Sequence, residues 1–127
     1  PQTNEVTIVN AGHMPPVWRR SDGTIDEPGS DISGIPIGIE ETVQYEQTTI
    51  QLSAGELLVL YTDGLNEACN PEDEQFGIDR LKQVVTKAGD APSGLGTTLV
   101  ESLEEFQQKT PQEDDMCLVV FGRSADA

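Results

Sequence analysis

The apolar residues of this chain form five short runs that predict β-strands and two longer stripes that predict amphipathic helices. The runs around Leu58 and Val119 are continuously apolar, which is typical of strands buried on both faces. The runs 5–10 and 43–52 alternate apolar and polar residues, as half-buried strands do. The predicted strands are 5–10, 15–19, 43–52, 57–62 and 116–121, and the predicted helices are 78–88 and 93–109.

The segments between these runs are rich in turn-forming residues and predict how the elements connect. Residues 21–23 (Ser-Asp-Gly) supply turn chemistry to a hairpin or meander built from the first two strands, and residues 25–39 form an ordered loop. Gly89 is placed to end the first helix as a C-cap, and Ser93 can begin the second as an N-cap. No linker composition divides the chain, so residues 1–127 are predicted to belong to a single domain.

The apolar run 57–62 ends abruptly at Asp63 and Gly64, and the rest of the chain is organised around this point. A carboxylate at the end of a buried strand is held by a rigid element, and the following glycine lets the backbone turn sharply beside it. Asp63 is therefore a candidate metal ligand. Asp-Gly is also one of the commonest turn pairs, and on these two residues alone the turn is the commoner interpretation.

A second acidic pair, Asp114 and Asp115, directly precedes the apolar run 116–121. If this strand and the strand before Asp63 are antiparallel neighbours, the end of one lies beside the start of the other, and the carboxylates meet at one rim of the sheet. Carboxylate oxygens and water are the ligands that Mg²⁺ and Mn²⁺ prefer. Two such ions lower the pKa of a bridging water and stabilise in-line displacement at a phosphate ester. A solvated acidic cap before the strand is the competing interpretation.

The composition narrows the classes of function. Seven basic and 23 acidic residues give a net charge of −16, which repels nucleic acid and anionic membranes and excludes them as partners. Cys69 and Cys117 lack CxxC spacing and are expected to be reduced thiols. Without a signal peptide or an apolar stretch of membrane length, the chain is expected to be cytoplasmic. The hydrophobic share of 35% is low and suggests a core that is incomplete in the chain as given.

Several separate motifs, in order and spacing, resemble the metal-dependent serine/threonine phosphatases of the type-2C (PPM) class, and most closely the bacterial SpoIIE/RsbU-like branch. The resemblance covers roughly residues 5–121. The motifs that carry it are Asn-Ala-Gly-His at 10–13 with Pro-Pro at 15–16, Ile-Gly-Ile at 37–39, Leu-Tyr-Thr-Asp-Gly at 60–64 with Glu-Ala at 67–68, Phe-Gly at 76–77, and Asp-Asp-Met at 114–116.

This resemblance implies a fold of the α+β class, a four-layer α-β-β-α sandwich of antiparallel sheets, of which this chain is the C-terminal part. It also implies a two-metal Mn²⁺ or Mg²⁺ site at one end of the sandwich, with Asp63 and Asp114 as metal ligands and catalytic residues. The implied reaction is direct attack of a metal-activated water on phosphoserine or phosphothreonine. The implied substrates are phosphorylated STAS-domain anti-anti-sigma proteins in a partner-switching circuit that also contains an anti-sigma kinase.

The chain departs from the family pattern in ways that affect the site. The family's metal-bridging aspartate lies in an Asp-x-x-Gly-His-Gly motif, and nothing of this kind precedes Glu5. We therefore expect weak metal binding, weak or absent activity of this piece alone, and an uncovered apolar surface that favours a homodimer. Asn66 stands where the family usually has Thr, and Cys117 stands where it usually has Thr or Ser. Either change can alter the groups that orient a metal ligand.

Two further interpretations remain open at this stage. The chain can be a non-catalytic phosphatase-like module that binds a regulatory partner, or a generic acidic β-rich scaffold. For His13, a structural role in the turn is favoured over a role as general acid. For Trp18, a core position is favoured over a role as partner-binding anchor. The loops 31–39 and 70–75 are candidates for substrate contact because loops on a rigid scaffold often carry function.

Overall fold

The computed structural model describes residues 3–124, which form six strands and three helices. Within that range no helix combines the length and the apolar character needed to cross a membrane. The elements, in chain order, are β1 (Glu5–Val9), β2 (Val17–Arg19), β3 (Ile25–Asp26), β4 (Gln47–Gln51), β5 (Leu57–Tyr61), α1 (Asp63–Asn66), α2 (Gly77–Lys87), α3 (Pro92–Gln107) and β6 (Leu118–Gly122).

The centre of the molecule is a four-stranded antiparallel sheet in the order β3-β2-β5-β6. Strand β5 pairs with β6 over its whole length, from Leu57 opposite Gly122 to Tyr61 opposite Leu118. On its other side β5 pairs with β2, with Val17 opposite Val59. The condition on which the two aspartates would meet, that the two continuously apolar strands are antiparallel neighbours, is therefore fulfilled.

A second, two-stranded sheet pairs β1 with β4, from Glu5 opposite Gln51 to Val9 opposite Gln47. The predicted hairpin or meander of 5–10 with 15–19 is wrong, because the first strand takes a partner that lies about forty residues further along the chain. The turn at 21–23 instead joins β2 to β3, a two-residue strand inside the predicted loop 25–39.

The helices cover one face of the four-stranded sheet and the two-stranded sheet covers part of the other. Alternate residues of β5 divide between the two cores, since Leu57 and Val59 face the helices while Leu58 packs with Trp18 and Ile50. Trp18 is thus a core residue, as predicted. The helix, sheet and sheet layers form an α+β arrangement of antiparallel sheets, consistent with part of a four-layer sandwich.

The prediction that the strands at 57–62 and 116–121 are buried on both faces is wrong for part of the face opposite the helices, where only Leu58 is buried. Leu60, Val119 and Phe121 are exposed, because the two-stranded sheet is too narrow to cover the whole width of the larger one. A groove of about 400 Å³ lies between β1 and this face. The molecule therefore presents uncovered apolar surface, as expected for part of a larger sandwich.

The helix boundaries agree with the predictions to within two residues, but the predicted caps do not. Helix α2 ends at an extended Ala88, and its last carbonyls are bonded by the buried guanidinium of Arg19, at 3.0 Å from the Val85 oxygen and 2.6 Å from the Ala88 oxygen. Helix α3 begins with Pro92 in its first turn after Ala91, without a side-chain cap. Neither Gly89 nor Ser93 serves as the predicted cap.

A buried carboxylate, Glu56, organises the turns at the start of β5. Its oxygens accept hydrogen bonds from the amides of Ser21 and Ser53, both at 3.0 Å, and from the Trp18 indole at 3.1 Å, and Arg20 lies 3.5 Å away. Burial by itself raises the pKa of this carboxyl group, but these donors and the Arg20 charge outweigh it, and the net pKa of Glu56 is lowered.

This arrangement predicts a pH-dependent effect of Glu56→Gln. Because the substitution turns an NH₂ group toward hydrogen-bond donors, we expect a loss of about 2 kcal/mol at neutral pH. The extra stability of the wild type over the Gln variant is fully present above pH 4.5, the ordinary pKa of a Glu carboxyl group. It is lost as the pH falls through the lower pKa that Glu56 has in the folded state. Melting temperatures of both proteins between about pH 7 and pH 3 measure this difference. The exposed Glu101→Gln is the control, and a wild-type advantage that persists unchanged at about pH 3 would contradict the assignment.

Candidate metal centre

Pairing of β5 with β6 brings the two predicted aspartates to the same rim of the sheet. The last paired residues are Tyr61 and Leu118, and the chains stay together beyond them. The amide of Thr62 donates to the Cys117 carbonyl at 3.1 Å, and the amide of Cys117 donates to the Thr62 hydroxyl at 2.9 Å. The segments that carry Asp63 and Asp114 are therefore neighbours.

Gly64 allows the two segments to approach more closely than any other residue would. A Cβ atom at this position would overlap the carbonyl oxygen of Asp115 and would lie 3.5 Å from the carbonyl carbon of Asp114. The hydroxyl of Thr62 lies 3.4 Å from the same Asp115 oxygen. The glycine of the Asp-Gly pair thus serves close packing against the acidic segment.

The two carboxylates differ in how they are held. Asp63 is exposed and is the first residue of α1, and no hydrogen bond or ion pair engages its carboxylate within residues 3–124. Asp114 is also exposed, but one of its oxygens accepts the amide of Asp115 at 2.8 Å, and Gln112 donates to the Asp114 carbonyl at 2.8 Å. The Asp114 side chain is therefore oriented, with its second oxygen left for another ligand.

The Asn10–His13 turn lies at the same end of the sheet, because it leads into β2, which runs antiparallel to β5. Buried Asn10 closes the turn by accepting the His13 amide at 2.8 Å and donating to the His13 carbonyl at 2.9 Å. The His13 ring donates through Nδ1 to the Met14 carbonyl at 2.9 Å. These bonds agree with the structural role predicted for His13.

The surroundings of the rim are strongly acidic. A small cavity of about 60 Å³ is lined by Gly64, Cys69 and Asp114, with Glu67 and Glu113 also on its wall. Burial raises the pKa of the Cys69 thiol, and nearby carboxylates raise it further. The thiol is protonated at neutral pH and is not an activated nucleophile. A field of this sign attracts cations.

The donor set of the rim suits a hard divalent cation. Mg²⁺ is commonly bound by one or two carboxylates together with water and substrate phosphate, and Asp63 and Asp114 supply two carboxylates from adjacent segments. Across residues 3–124 no group of three or more His, Cys, Asp or Glu side chains is arranged to hold a metal ion. Asp63 and Asp114 are therefore two candidate ligands and do not make a complete site by themselves.

Two residues of the rim were not singled out from the sequence for the role they have. The Asp-Gly pair predicts a sharp turn at Gly64, yet this glycine has no positive φ and its importance lies in the contact with Asp115. Thr62 joins the two segments through its amide and hydroxyl. The only sequence signal for both was their place in the Leu-Tyr-Thr-Asp-Gly motif.

Comparison with solved structures defines the class of fold. The chain superposes on the PP2C phosphatase domain of SpoIIE from Bacillus subtilis with a TM-score of 0.72 and 26% identity, covering 94% of this chain and 34% of that one. Two structures with the same fold were solved with divalent metals: a Mn-presoaked SpoIIE phosphatase domain at 20% identity and TM-score 0.70, and RsbX in complex with magnesium at 17% and 0.61. The match with the SpoIIE domain covers 99% of this chain and 54% of that one. The match with RsbX covers 94% of this chain and 49% of that one. The chain therefore has the fold of part of a PP2C-type phosphatase domain.

Sequence comparison then gives the family. The family model described as Stage II sporulation protein E (SpoIIE) matches residues 1–124, and the chain belongs to this family. It is 27% identical to phosphoserine phosphatase RsbP of Bacillus subtilis over 91% of its own length, and 26% identical to phosphoserine phosphatase RsbU of the same organism over 94%. It spans 27% of RsbP and 35% of RsbU.

The close approach at Gly64 predicts the effect of Gly64→Ala. The added methyl group must push the Asp115 carbonyl away, at a cost of about 1–3 kcal/mol, and the Asp63 and Asp114 segments separate. We expect a lower melting temperature and weaker Mn²⁺ binding, measured by calorimetry on the natural protein that contains this chain. Gly94→Ala is the matched control: Gly94 is exposed in α3, and the same methyl group there is expected to stabilise the helix. Equal effects of the two substitutions would contradict the packing role of Gly64.

Proposed function

We propose that this chain is the C-terminal part of the catalytic domain of a metal-dependent protein serine/threonine phosphatase. The observation that carries the proposal is the meeting of Asp63 and Asp114 on adjacent segments at one rim of a PP2C-type fold. Two relatives are named phosphoserine phosphatases, which supports the same class of reaction here.

The proposed metal is Mn²⁺ or Mg²⁺, held by the carboxylates of Asp63 and Asp114. A divalent ion supplies a water of lowered pKa as the nucleophile and positive charge that stabilises the phosphoryl oxygens in the transition state. The metal-soaked and magnesium-bound relatives of the same fold support this choice.

Other residues of the chain hold the two acidic segments in position at the rim. Thr62 and Gly64 fix the distance between the two acidic segments, and the amide of Asp115 orients the Asp114 carboxylate. The Cys69 thiol stays protonated, which agrees with direct hydrolysis and not with a phospho-cysteine intermediate.

The site is proposed to be completed by residues outside the described part. The resemblance places a bridging aspartate upstream of the Asn10–His13 turn, and two carboxylates alone bind a divalent ion weakly. We therefore expect this chain alone to be weakly active or inactive and the natural protein to be active.

For the substrate we propose a phosphorylated protein of a bacterial signalling pathway, specifically a STAS-domain anti-anti-sigma factor in the cytoplasm. The support is the resemblance to the SpoIIE/RsbU-like branch and the family membership of residues 1–124. The net charge of −16 disfavours nucleic acid as the substrate.

The metal proposal predicts the effect of Asp63→Asn and Asp114→Asn in the natural protein. Each is expected to reduce Mn²⁺-dependent phosphate release from a phosphoserine protein by about a hundredfold or more, since even losing a group that orients a ligand costs ten- to a hundredfold. Calorimetric Mn²⁺ titration should weaken in parallel. Asp79→Asn, which removes the same charge from exposed helix surface, is expected to leave both unchanged.

The same experiment separates the alternative function, a phosphatase-like module that binds a regulatory partner without catalysis. If the unsubstituted natural protein releases no phosphate with Mn²⁺ present, the catalytic proposal fails and the binding module replaces it. If Asp63→Asn and Asp114→Asn are no worse than Asp79→Asn, the two carboxylates are not metal ligands.

We also propose that the isolated chain forms a homodimer through the uncovered sheet face around Leu60, Val119 and Phe121. Light scattering during size-exclusion chromatography is expected to give twice the monomer mass. Val119→Thr, which keeps the strand propensity, should shift the peak toward monomer, whereas Val100→Thr on exposed helix surface should not. A monomer at high concentration would refute the dimer.

A further inference from the structure

The loop between β3 and β4 carries two isoleucines that are exposed to solvent and do not pack in the core. Ile37 and Ile39 are 82% and 69% exposed, the highest values among the large apolar side chains of residues 3–124. Isolated apolar residues are common on protein surfaces, but two on one tight turn form a patch. Long loops without regular structure usually carry function, and this loop runs from residue 27 to residue 46.

The base of this loop is fixed, so the turn at 37–39 is presented from a rigid support. The amide of Gly34 donates to the Asn10 carbonyl at 2.8 Å, and the Tyr45 hydroxyl donates to the Ile35 carbonyl at 2.8 Å. The Pro36 ring packs so closely on Gly12 that a Cβ atom there would lie 2.9 Å from it. Contacts on both sides hold residues 34–36 and leave the isoleucines outside the packed region.

Strand directions place this turn at the same end of the molecule as Asp63 and Asp114. Strand β5 runs toward that end, and β2 runs away from it, so the Asn10–His13 turn before β2 lies there. The loop is anchored on Asn10, and it leads into Gln47, which pairs with Val9 at the end of β1. The loop base, the Asn10 turn and the acidic rim therefore share one end of the fold.

The phosphate group of a phosphoprotein that approaches this end meets an unfavourable electrostatic field. The chain carries a net charge of −16, the rim is acidic, and Glu40 and Glu41 follow the isoleucines directly. The phosphate group is itself negative, so long-range attraction cannot deliver it to the rim. Short-range apolar contact is insensitive to this repulsion, and the exposed isoleucines are positioned to supply it.

We propose that the 37–39 turn is a docking surface for the folded phosphoprotein substrate of the neighbouring site. The contacting surface of the substrate is apolar at its centre, to cover Ile37 and Ile39, and basic at its edge, to face Glu40 and Glu41. This inference rests on the proposed phosphatase function. It adds a specificity contact outside the metal centre.

The test compares three substrates in the natural protein that contains this chain. They are a phosphoserine-bearing STAS-domain protein encoded in the same genome, a short phosphopeptide from it, and p-nitrophenyl phosphate. Ile37→Ser combined with Ile39→Ser is expected to lower kcat/KM for the folded protein by about tenfold or more, mainly through KM, because two buried side chains are lost from the complex. Activity on the two small substrates should change by less than about twofold.

Val100→Ser is the matched control, because Val100 is an exposed apolar residue on α3, on the helical side of the molecule. It is expected to leave all three activities unchanged. An equal loss on all substrates, or a fall in melting temperature of many degrees, would show that the isoleucines pack within the protein and would overturn the proposal. Conversion of a dimer to a monomer would assign the turn to a second copy and would overturn it too.

A binding measurement keeps the inference separate from the proposed activity. Calorimetric titration of the STAS-domain phosphoprotein into the natural protein is expected to give about tenfold weaker binding for the double variant than for wild type. If the natural protein is catalytically inert but shows this difference, the docking surface stands and the phosphatase proposal fails. If wild type and the double variant bind equally, or wild type does not bind, the docking proposal is wrong.

Discussion

The antiparallel pairing of β5 with β6 is the interaction on which the rest of the structure depends. The two strands are separated by more than fifty residues of sequence, yet they pair over their whole length and put the end of one beside the start of the other. Their alternate side chains supply one core to the helices and another to the second sheet. A shift of one residue in this register would exchange the two faces and separate Thr62 from Cys117. Core and site are therefore set by the same ladder.

The molecule treats its carboxylates in two opposite ways. Glu56 is buried at the start of β5, and hydrogen-bond donors and the Arg20 charge stabilise it enough that its pKa is lowered despite burial. Asp63, at the end of the same strand, has no such partner within residues 3–124, and Asp114 has one oxygen engaged. A carboxylate whose oxygens are all hydrogen-bonded stabilises the fold, whereas one with free oxygens can still coordinate a cation.

The strands and helices followed from the local apolar pattern, and the pairings with distant partners did not. The apolar runs predicted β5, β6 and both long helices because a periodic stripe reports burial directly. The pairing of β1 with β4 and the capping of the end of α2 by Arg19 were missed, since both depend on partners that lie far away in sequence. The strand predicted at 43–52 begins only at Gln47, because Tyr45 is used to hold the neighbouring loop.

For the candidate site, the residue types could be predicted from the sequence, whereas their positions relative to one another are seen only in the structure. The strand-end positions and the motif resemblance predict Asp63 and Asp114, and the structure places their segments together. Their role as ligands stays a prediction. The contact of Gly64 with Asp115 has no periodic signature, because close approach of two backbones depends on tertiary geometry alone.

The two ends of β5 divide stability and reactivity between them. At its start, Arg19 bonds the carbonyls that end α2, Glu56 accepts three donors, and Gly122 lies against the Glu56 carbonyl. At its other end lie exposed carboxylates and a loop with exposed isoleucines. The polar network at the start of the strand stabilises the fold without occupying any of the groups at the rim. A single rigid strand thus connects the part that stabilises the fold to the part that is left available for ligands.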